Sequence, residues 1–322
     1  MNIDLLIENL RNPALLFFVL GILAVYLKSD LEIPSNSSKF ISIYLLFSIG
    51  FKGGQELSHE TFNSEIAISM IFGIVISIFI PFYTYFILRR KLSVQDSGAI
   101  AAAYGSVSAV TFVTSVAYLE TLQISSHGYM VAIMALMESP AIIIGLILIS
   151  IFGGENSSKI KKRSVIVHSL TNGSVLLILG SLLIGFLANA KQAEGIKPFT
   201  NDLFKGFLAI FLLDMGLTSG RKLKSFFSFG WFPVVFAVFI PLINGVLFSI
   251  LSGLITNDVS NRFMFGILAA SASYIAVPAA MKITVPTANP GLYLPMALAI
   301  TFPVNITIGM PMYMAIVQYF SF

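Results

Sequence analysis

Two short stretches of this 322-residue chain carry the side chains best suited to hold a small anion. They are Ala103-Tyr104-Gly105-Ser106-Val107-Ser108-Ala109-Val110-Thr111 and Ala270-Ser271-Ala272-Ser273-Tyr274-Ile275-Ala276-Val277-Pro278. Gly105 permits an unwound backbone, and Pro278 removes a helix donor and disfavours helical geometry at Val277. If both helices break near their middles, two half-helix N-termini can point at one spot. Each brings a partial positive charge of roughly half a unit and several free backbone N–H groups. Ser106, Ser108, Ser271 and Ser273 add small hydroxyls that can donate to an oxyanion. No Lys or Arg falls inside either stretch. Such a site suits a small, weakly charged anion better than a phosphate or dicarboxylate, which recruits Arg.

The complementary chemistry is a cation held by hard oxygen ligands. Asp214 lies four residues before Thr218, so the two share a helix face. Glu138 precedes Ser139-Pro140, where the proline frees a carbonyl. Ser271, Ser273 and Thr111 sit close along the interrupted stretches. Sodium coordinated by some of Asp214, Glu138, Ser271, Ser273 and Thr111 is the leading expectation, with proton coupling through Glu138 as the rival.

Composition decides what positions these groups. The chain is 57% hydrophobic and 11% charged, with 29 phenylalanines and a mean hydropathy of +0.90. A soluble domain is about a quarter charged, and with fewer polar side chains it could not cover its surface. Soluble enzyme, nucleic-acid binder and disordered scaffold are excluded. The net charge of +4 then reflects basic loops on one membrane face. Cysteine is absent, so neither a disulfide framework nor a thiolate metal site is available. His59, His127 and His168 stand in polar segments and do not suggest a His-rich site. Met1 to Arg11 lacks the basic region and cleavage site of a signal peptide, so the first apolar segment is expected to remain as a membrane helix.

A bilayer core of roughly 30 Å needs about 20 apolar residues in a helix. Polar breaks divide the chain into ten segments, near 12–28, 40–57, 65–88, 96–118, 127–152, 165–189, 204–220, 230–254, 262–282 and 291–320. The fourth and ninth are the interrupted ones. With both termini on one side, that side holds six Lys and Arg residues and the other holds the remaining thirteen of nineteen. The positive-inside rule makes the richer side cytoplasmic and puts both termini outside. Thirteen of fifteen acids fall in loops or at segment ends, which leaves Glu138 and Asp214 within the membrane. Ionisable groups there are costly and mark ion or substrate pathways.

The chain also repeats itself. Gly50/Gly216, Gly54/Gly220, Leu57/Leu223 and Lys39/Lys205 recur at a spacing of 166. Gly98 to Ala102 matches Gly266 to Ala270 at 168, and Gly128 and Pro140 match Gly291 and Pro303 at 163. Five segments per repeat means that the second half inserts upside down. Residues 1–152 form the first repeat, 153–164 a short cytoplasmic linker and 165–322 the second. The expected fold is an all-α membrane protein with ten transmembrane helices in two inverted five-helix repeats. Secondary transporters use this symmetry, with the substrate between the repeats near the midplane.

Several stretches carry a family resemblance: Lys28-Ser29-Asp30-Leu31-Glu32-Ile33-Pro34, Gly98 to Thr111, Ala272 to Pro295, and Thr301-Phe302-Pro303. Through them the chain resembles the cyanobacterial sodium-dependent bicarbonate transporters over essentially its whole length. The resemblance implies a gate domain and a core domain, homotrimers in the plasma (inner) membrane, and sodium-coupled import of inorganic carbon by an elevator-like cycle. It implies Gly105, Ser106, Val107 and Ser108, with Ser273, Tyr274, Ile275 and Ala276, around bicarbonate, and sodium near Asp214, Glu138, Ser271 and Ser273. It also implies a trimeric PII-like regulator on the cytoplasmic face. The linker Gly153 to Ser164 is shorter than in other members, which puts that docking in doubt.

Other readings fit less well. A sodium-coupled organic-anion symporter of bile-acid-transporter-like fold would share the repeats and the crossed helices, and it stands as the alternative. A cation/proton antiporter would place acids in the crossing region, and the interrupted stretches of segments 4 and 9 carry none. An intramembrane hydrolase would need a His-Glu-x-x-His, a Ser/His dyad or paired Asp, and Asp214 stands alone on its segment.

Overall fold

The computed structural model describes residues 12–153 and 173–320 of the chain, and among these it contains helices and turns but no strand. The first half runs through α1 (Pro13–Tyr26), α2 (Ser35–His59), α3 (Ser64–Leu88), α4 (Val94–Gly105), α5 (Ala109–Thr121) and α6 (Tyr129–Phe152). The second runs through α7 (Gly173–Leu187), α8 (Ala190–Lys197), α9 (Phe204–Phe226), α10 (Trp231–Leu251), α11 (Val259–Ala270), α12 (Ala276–Thr284) and α13 (Pro290–Tyr319). Six of the described stretches are long and apolar enough to cross a membrane: 64–88, 94–121, 129–152, 190–223, 231–254 and 290–319. Shorter apolar helices cover 13–26, 175–187 and 259–270. Each of the ten expected segments overlaps a helix or a broken pair. Residues 165–172 of the sixth, and 154–164 of the expected linker, lie outside the described residues.

Local sequence explains the ends. Asn12, Asn63, Ser93, Ser108 and Asp258 each stand at a helix start and accept a backbone N–H from the first turn, which supplies one of the donors a helix leaves unsatisfied. Residues 190–203 read as loop from their polarity, yet α8 forms there. Asn189 and Gln192 make a reciprocal capping box, and the chain passes through a π-turn at Pro198–Asp202 into α9.

The outside of the bundle is as apolar as its core. α3 exposes Phe79, Phe82 and Phe86, and α10 exposes Val235, Phe239 and Ile243. Such surface is costly in water and at ease in lipid. The broken stretches are the reverse, with Ala99 to Tyr104 and Phe263 to Ala270 almost wholly buried.

Two helix pairs have the most extensive contact, α2 with α7 and α9 with α1. Glycines explain the closeness. A Cβ on Gly50 or Gly54 would strike the backbone of α7 at Ile178 or Leu182, and one on Gly216 would strike Phe18 O of α1. Gly21 lies against the Leu217 N–H and Gly185 against Phe51 O. Gly21 and Gly185 are 164 residues apart and their contacts 166 apart, so the glycines do equivalent work in the two halves. Small residues are what permit such approach between membrane helices.

Candidate functional site

α4 and α11 are each 12 residues long, and both end on a serine in extended backbone. Ser106 closes α4 (φ −84°, ψ 175°) and Ser271 closes α11 (φ −79°, ψ 163°). These ends correspond at a spacing of 165, not the 168 that Gly98 and Gly266 suggest. The two glycines answer to different neighbours: Gly98 makes room for Ile149 and Gly145 of α6, and Gly266 for Ser249 and Gly245 of α10.

The two breaks are tied to each other in both directions. The Ser108 N–H donates to Ser271 Oγ at 3.1 Å, and the Ser273 N–H donates to Ala103 O at 2.8 Å. Ser271 Oγ donates in turn to Leu268 O at 3.0 Å. Asn305 of α13 donates to Ala270 O, the last carbonyl of α11, at 2.8 Å. Backbone groups freed by the breaks are therefore satisfied by protein, which is what membrane depth requires.

The second halves begin differently. Ser108 caps α5 by accepting the Thr111 N–H at 3.2 Å. At α12 the preceding residue is Ile275, which gives no side-chain cap; Val277 N–H donates to Ser273 Oγ at 3.3 Å and Pro278 has no N–H. The first residues of the two half-helices, Ala109 and Ala276, line the same cavity. That cavity is about 20 Å³, room for about one water molecule. Val107 and Ser108 complete one wall, Ser273, Tyr274 and Ile275 another, Met134, Ala135 and Glu138 of α6 a third, and Leu46 and Ile178 the side toward α2 and α7.

The remaining expected site residues are placed as follows. Gly105 packs on the ring of Pro81, where a Cβ would come within 2.1 Å, and it does not line the cavity. Ser106 is fully buried away from the cavity, and among the described residues its hydroxyl has no hydrogen-bond partner. Thr111 and Ser271 are buried at the crossing next to Ser108. Asp214 is set apart from the cavity: it accepts a short hydrogen bond from Ser38 of α2. Ser38 borders a separate cleft of about 1100 Å³ between α2, α7 and α9. Leu46, Tyr274 and Ile275 face both spaces and form the partition between them.

The donor set suits an alkali cation. Glu138 supplies one carboxylate, and the crossing supplies hydroxyls and carbonyls, the hard oxygens such an ion takes. Among the described residues no group of three His, Cys, Asp or Glu side chains is placed to hold a metal ion, as a transition-metal centre would want. Leu46, Met134, Ile178 and Asn305 were not legible as site residues. For Asn305 a signal existed, since an amide in an apolar helix needs a partner; the others are apolar residues like their neighbours.

No curated protein matches this chain. The sequence pattern that does match it belongs to a family of transporters, not of enzymes, for which sodium is the coupling ion. The match spans residues 13–318, nearly the full chain, which therefore belongs to the Na+-dependent bicarbonate transporter superfamily.

Proposed function

We propose that the protein imports bicarbonate together with sodium across the plasma (inner) membrane, by an elevator-like alternating-access cycle. One observation carries the reading: two half-helix N-termini, at Ala109 and Ala276, share a cavity with Glu138. The helix ends offer positive potential and N–H donors to an anion, and the carboxylate offers a seat to a cation. No Lys or Arg lines the cavity. An anion drawn inward against an inside-negative potential is opposed by about 2.3 kcal/mol per charge per 100 mV, and a companion sodium offsets that cost. Ser108 and Ser273 bear on the anion, and Glu138 bears on the sodium, with the hydroxyls of Ser271, Ser273 and Thr111 as its further candidate ligands.

The same proposal includes ten membrane segments in two inverted five-segment repeats. The equivalent glycine contacts of α2 with α7 and of α9 with α1 support it. By the distribution of Lys and Arg the termini are outside, and the large cleft, bordered by Ser35, Ser38 and Lys39, opens toward the cytoplasm. A homotrimer belongs to this reading. A PII-like regulator would meet a cytoplasmic face with a short linker.

The organic-anion reading draws on the size and apolar lining of that cleft. Uptake of labelled bicarbonate into vesicles holding the purified protein decides between them. Uptake driven by an imposed sodium gradient is expected. Uptake indifferent to sodium would reject the coupling, and transport of a bulky carboxylate without bicarbonate would reject the substrate.

A further inference from the structure

α2 passes three spaces in succession. Residues 35–47 include its contacts with the cleft, Leu46 reaches the central cavity, and Ser48, Ile49 and Lys52 border a third pocket of about 200 Å³. At about 1.5 Å per residue, Lys52 stands roughly 9 Å beyond Leu46 along the helix. The third pocket therefore lies past the central cavity, away from the cleft.

Its chemistry is unlike that of the cavity. Lys52 of α2 donates to Glu120 Oε1 at 2.6 Å, and Lys205 of α9 lies 3.3 Å from Glu120 Oε2. Glu120 belongs to α5, so three helices meet here. Glu120 takes one of the three donors of each ammonium, and Glu56, one turn further along α2, is a second carboxylate acting on Lys52, so the free donors of Lys205 are the ones left for an anion. Val116 and Phe204 form apolar walls, and Thr200 and Asn201 line the pocket beside the lysines. Low-dielectric walls strengthen the field that the Lys205 ammonium exerts on a counter-ion.

We propose that the Lys52–Lys205 pocket is a second anion site, which takes a small monovalent oxyanion of the bicarbonate or formate kind before it reaches the central cavity. The proposal deepens the transport reading and rests on it for the route, while the site itself can be tested without transport.

Purified protein in detergent is treated with an amine-acylating reagent in sodium formate, sodium bicarbonate or sodium gluconate at matched ionic strength. Labelling is read by mass spectrometry at Lys205, with the exposed Lys191 and Lys197 as references. Formate and bicarbonate are expected to slow acylation of Lys205 about fivefold relative to gluconate and to leave the references unchanged. Equal labelling in all three salts would overturn the site. In vesicles, Lys205→Met is expected to raise the KM for bicarbonate about fivefold at unchanged kcat, with Lys205→Arg restoring it. Lys205 is two-thirds exposed, so the variant is safe for folding. An unchanged KM in Lys205→Met would overturn the site's place on the route. Vesicles that take up no bicarbonate even with wild-type protein would sink the transport reading, and the acylation result would still decide the pocket.

Discussion

Glu138 and Asp214 are the two carboxylates that charge counting leaves inside the membrane, and they are equally buried, at 8% and 7% exposed. Their surroundings differ. Asp214 has a hydrogen-bond donor built for it in Ser38, across the contact of α9 with α2. Glu138 faces the central cavity, and among the described residues no donor reaches it. A buried carboxylate with a fixed partner can be structural, whereas one without must be neutralised by something that arrives, a cation or a proton. Both are carboxylates of similar exposure, so the difference lies in the partner. It favours Glu138 over Asp214 as the seat of the cation in the proposed cycle.

The sharpest way to break that contrast is to neutralise each carboxylate in turn. Glu138→Gln keeps the shape and removes the charge. It is expected to cost about 3 kcal/mol, or roughly a hundredfold in sodium-driven uptake, the scale of removing one member of a buried ion pair. Sodium-stimulated uptake within twofold of wild type would remove Glu138 from the cation site. Asp214→Asn still accepts from Ser38, and its expected loss is smaller, roughly tenfold. If Asp214→Asn proved the more damaging of the two, the assignment would be reversed. Ser38→Ala removes the donor that distinguishes Asp214 and should cost about threefold in uptake while leaving Glu138 untouched. A Ser38→Ala effect as large as that of Glu138→Gln would mean that the seam, not the cavity, holds the ion.

Much of this was legible from sequence because the membrane makes polar residues conspicuous. The two interrupted stretches stood out by their serines against an apolar background, and the structure brings Ser108, Ser271 and Ser273 to one crossing. What stayed hidden was partnership. Nothing in the order of residues says that Ser38, 176 positions away, donates to Asp214, or that none of the described residues donates to Glu138. Gly105 shows a second limit. The family resemblance implies a place for it around the anion, but nothing in the order of residues says that its missing side chain also lets Pro81 of α3 pack against α4. Gly50/Gly216 and Gly54/Gly220 stood out at one common spacing because tight helix contacts demand small residues at fixed places. Gly98 and Gly266 misled by three residues because α4 and α11 are crowded by different neighbours.

A second pair of carboxylates, outside the membrane segments, shows what full partnership looks like and offers the mildest test. His127 stands between Glu60 and Asp258, with Nδ1 3.0 Å from Glu60 Oε1 and Nε2 3.6 Å from Asp258 Oδ2. The Asp258 carboxylate foremost, and the hydrogen-bonded Glu60 after it, raise the imidazole pKa to about 9 against a burial that lowers it. Burial pushes the Asp258 carboxyl up, but bonds from His127, Ser260 and the Asn261 N–H outweigh it and hold the group at about 2. A raised histidine contributes stability that is fully present below its unfolded value of 6.5 and is lost as pH rises through about 9. A depressed aspartate contributes stability present above 3.8 and lost as pH falls through about 2. Both act together between those unfolded values. Since the His127 side chain is 39% exposed, solvent weakens the effect. Between pH 6.5 and 9 the Tm of the wild-type protein should fall by about 2 °C more than that of His127→Gln. Parallel Tm curves for the two proteins would show that the imidazole charge stabilises nothing. Because the cluster ties the end of α2 to the start of α11, the same fall should come with easier separation of those two helices, read as faster amide exchange at Glu60 and Asp258.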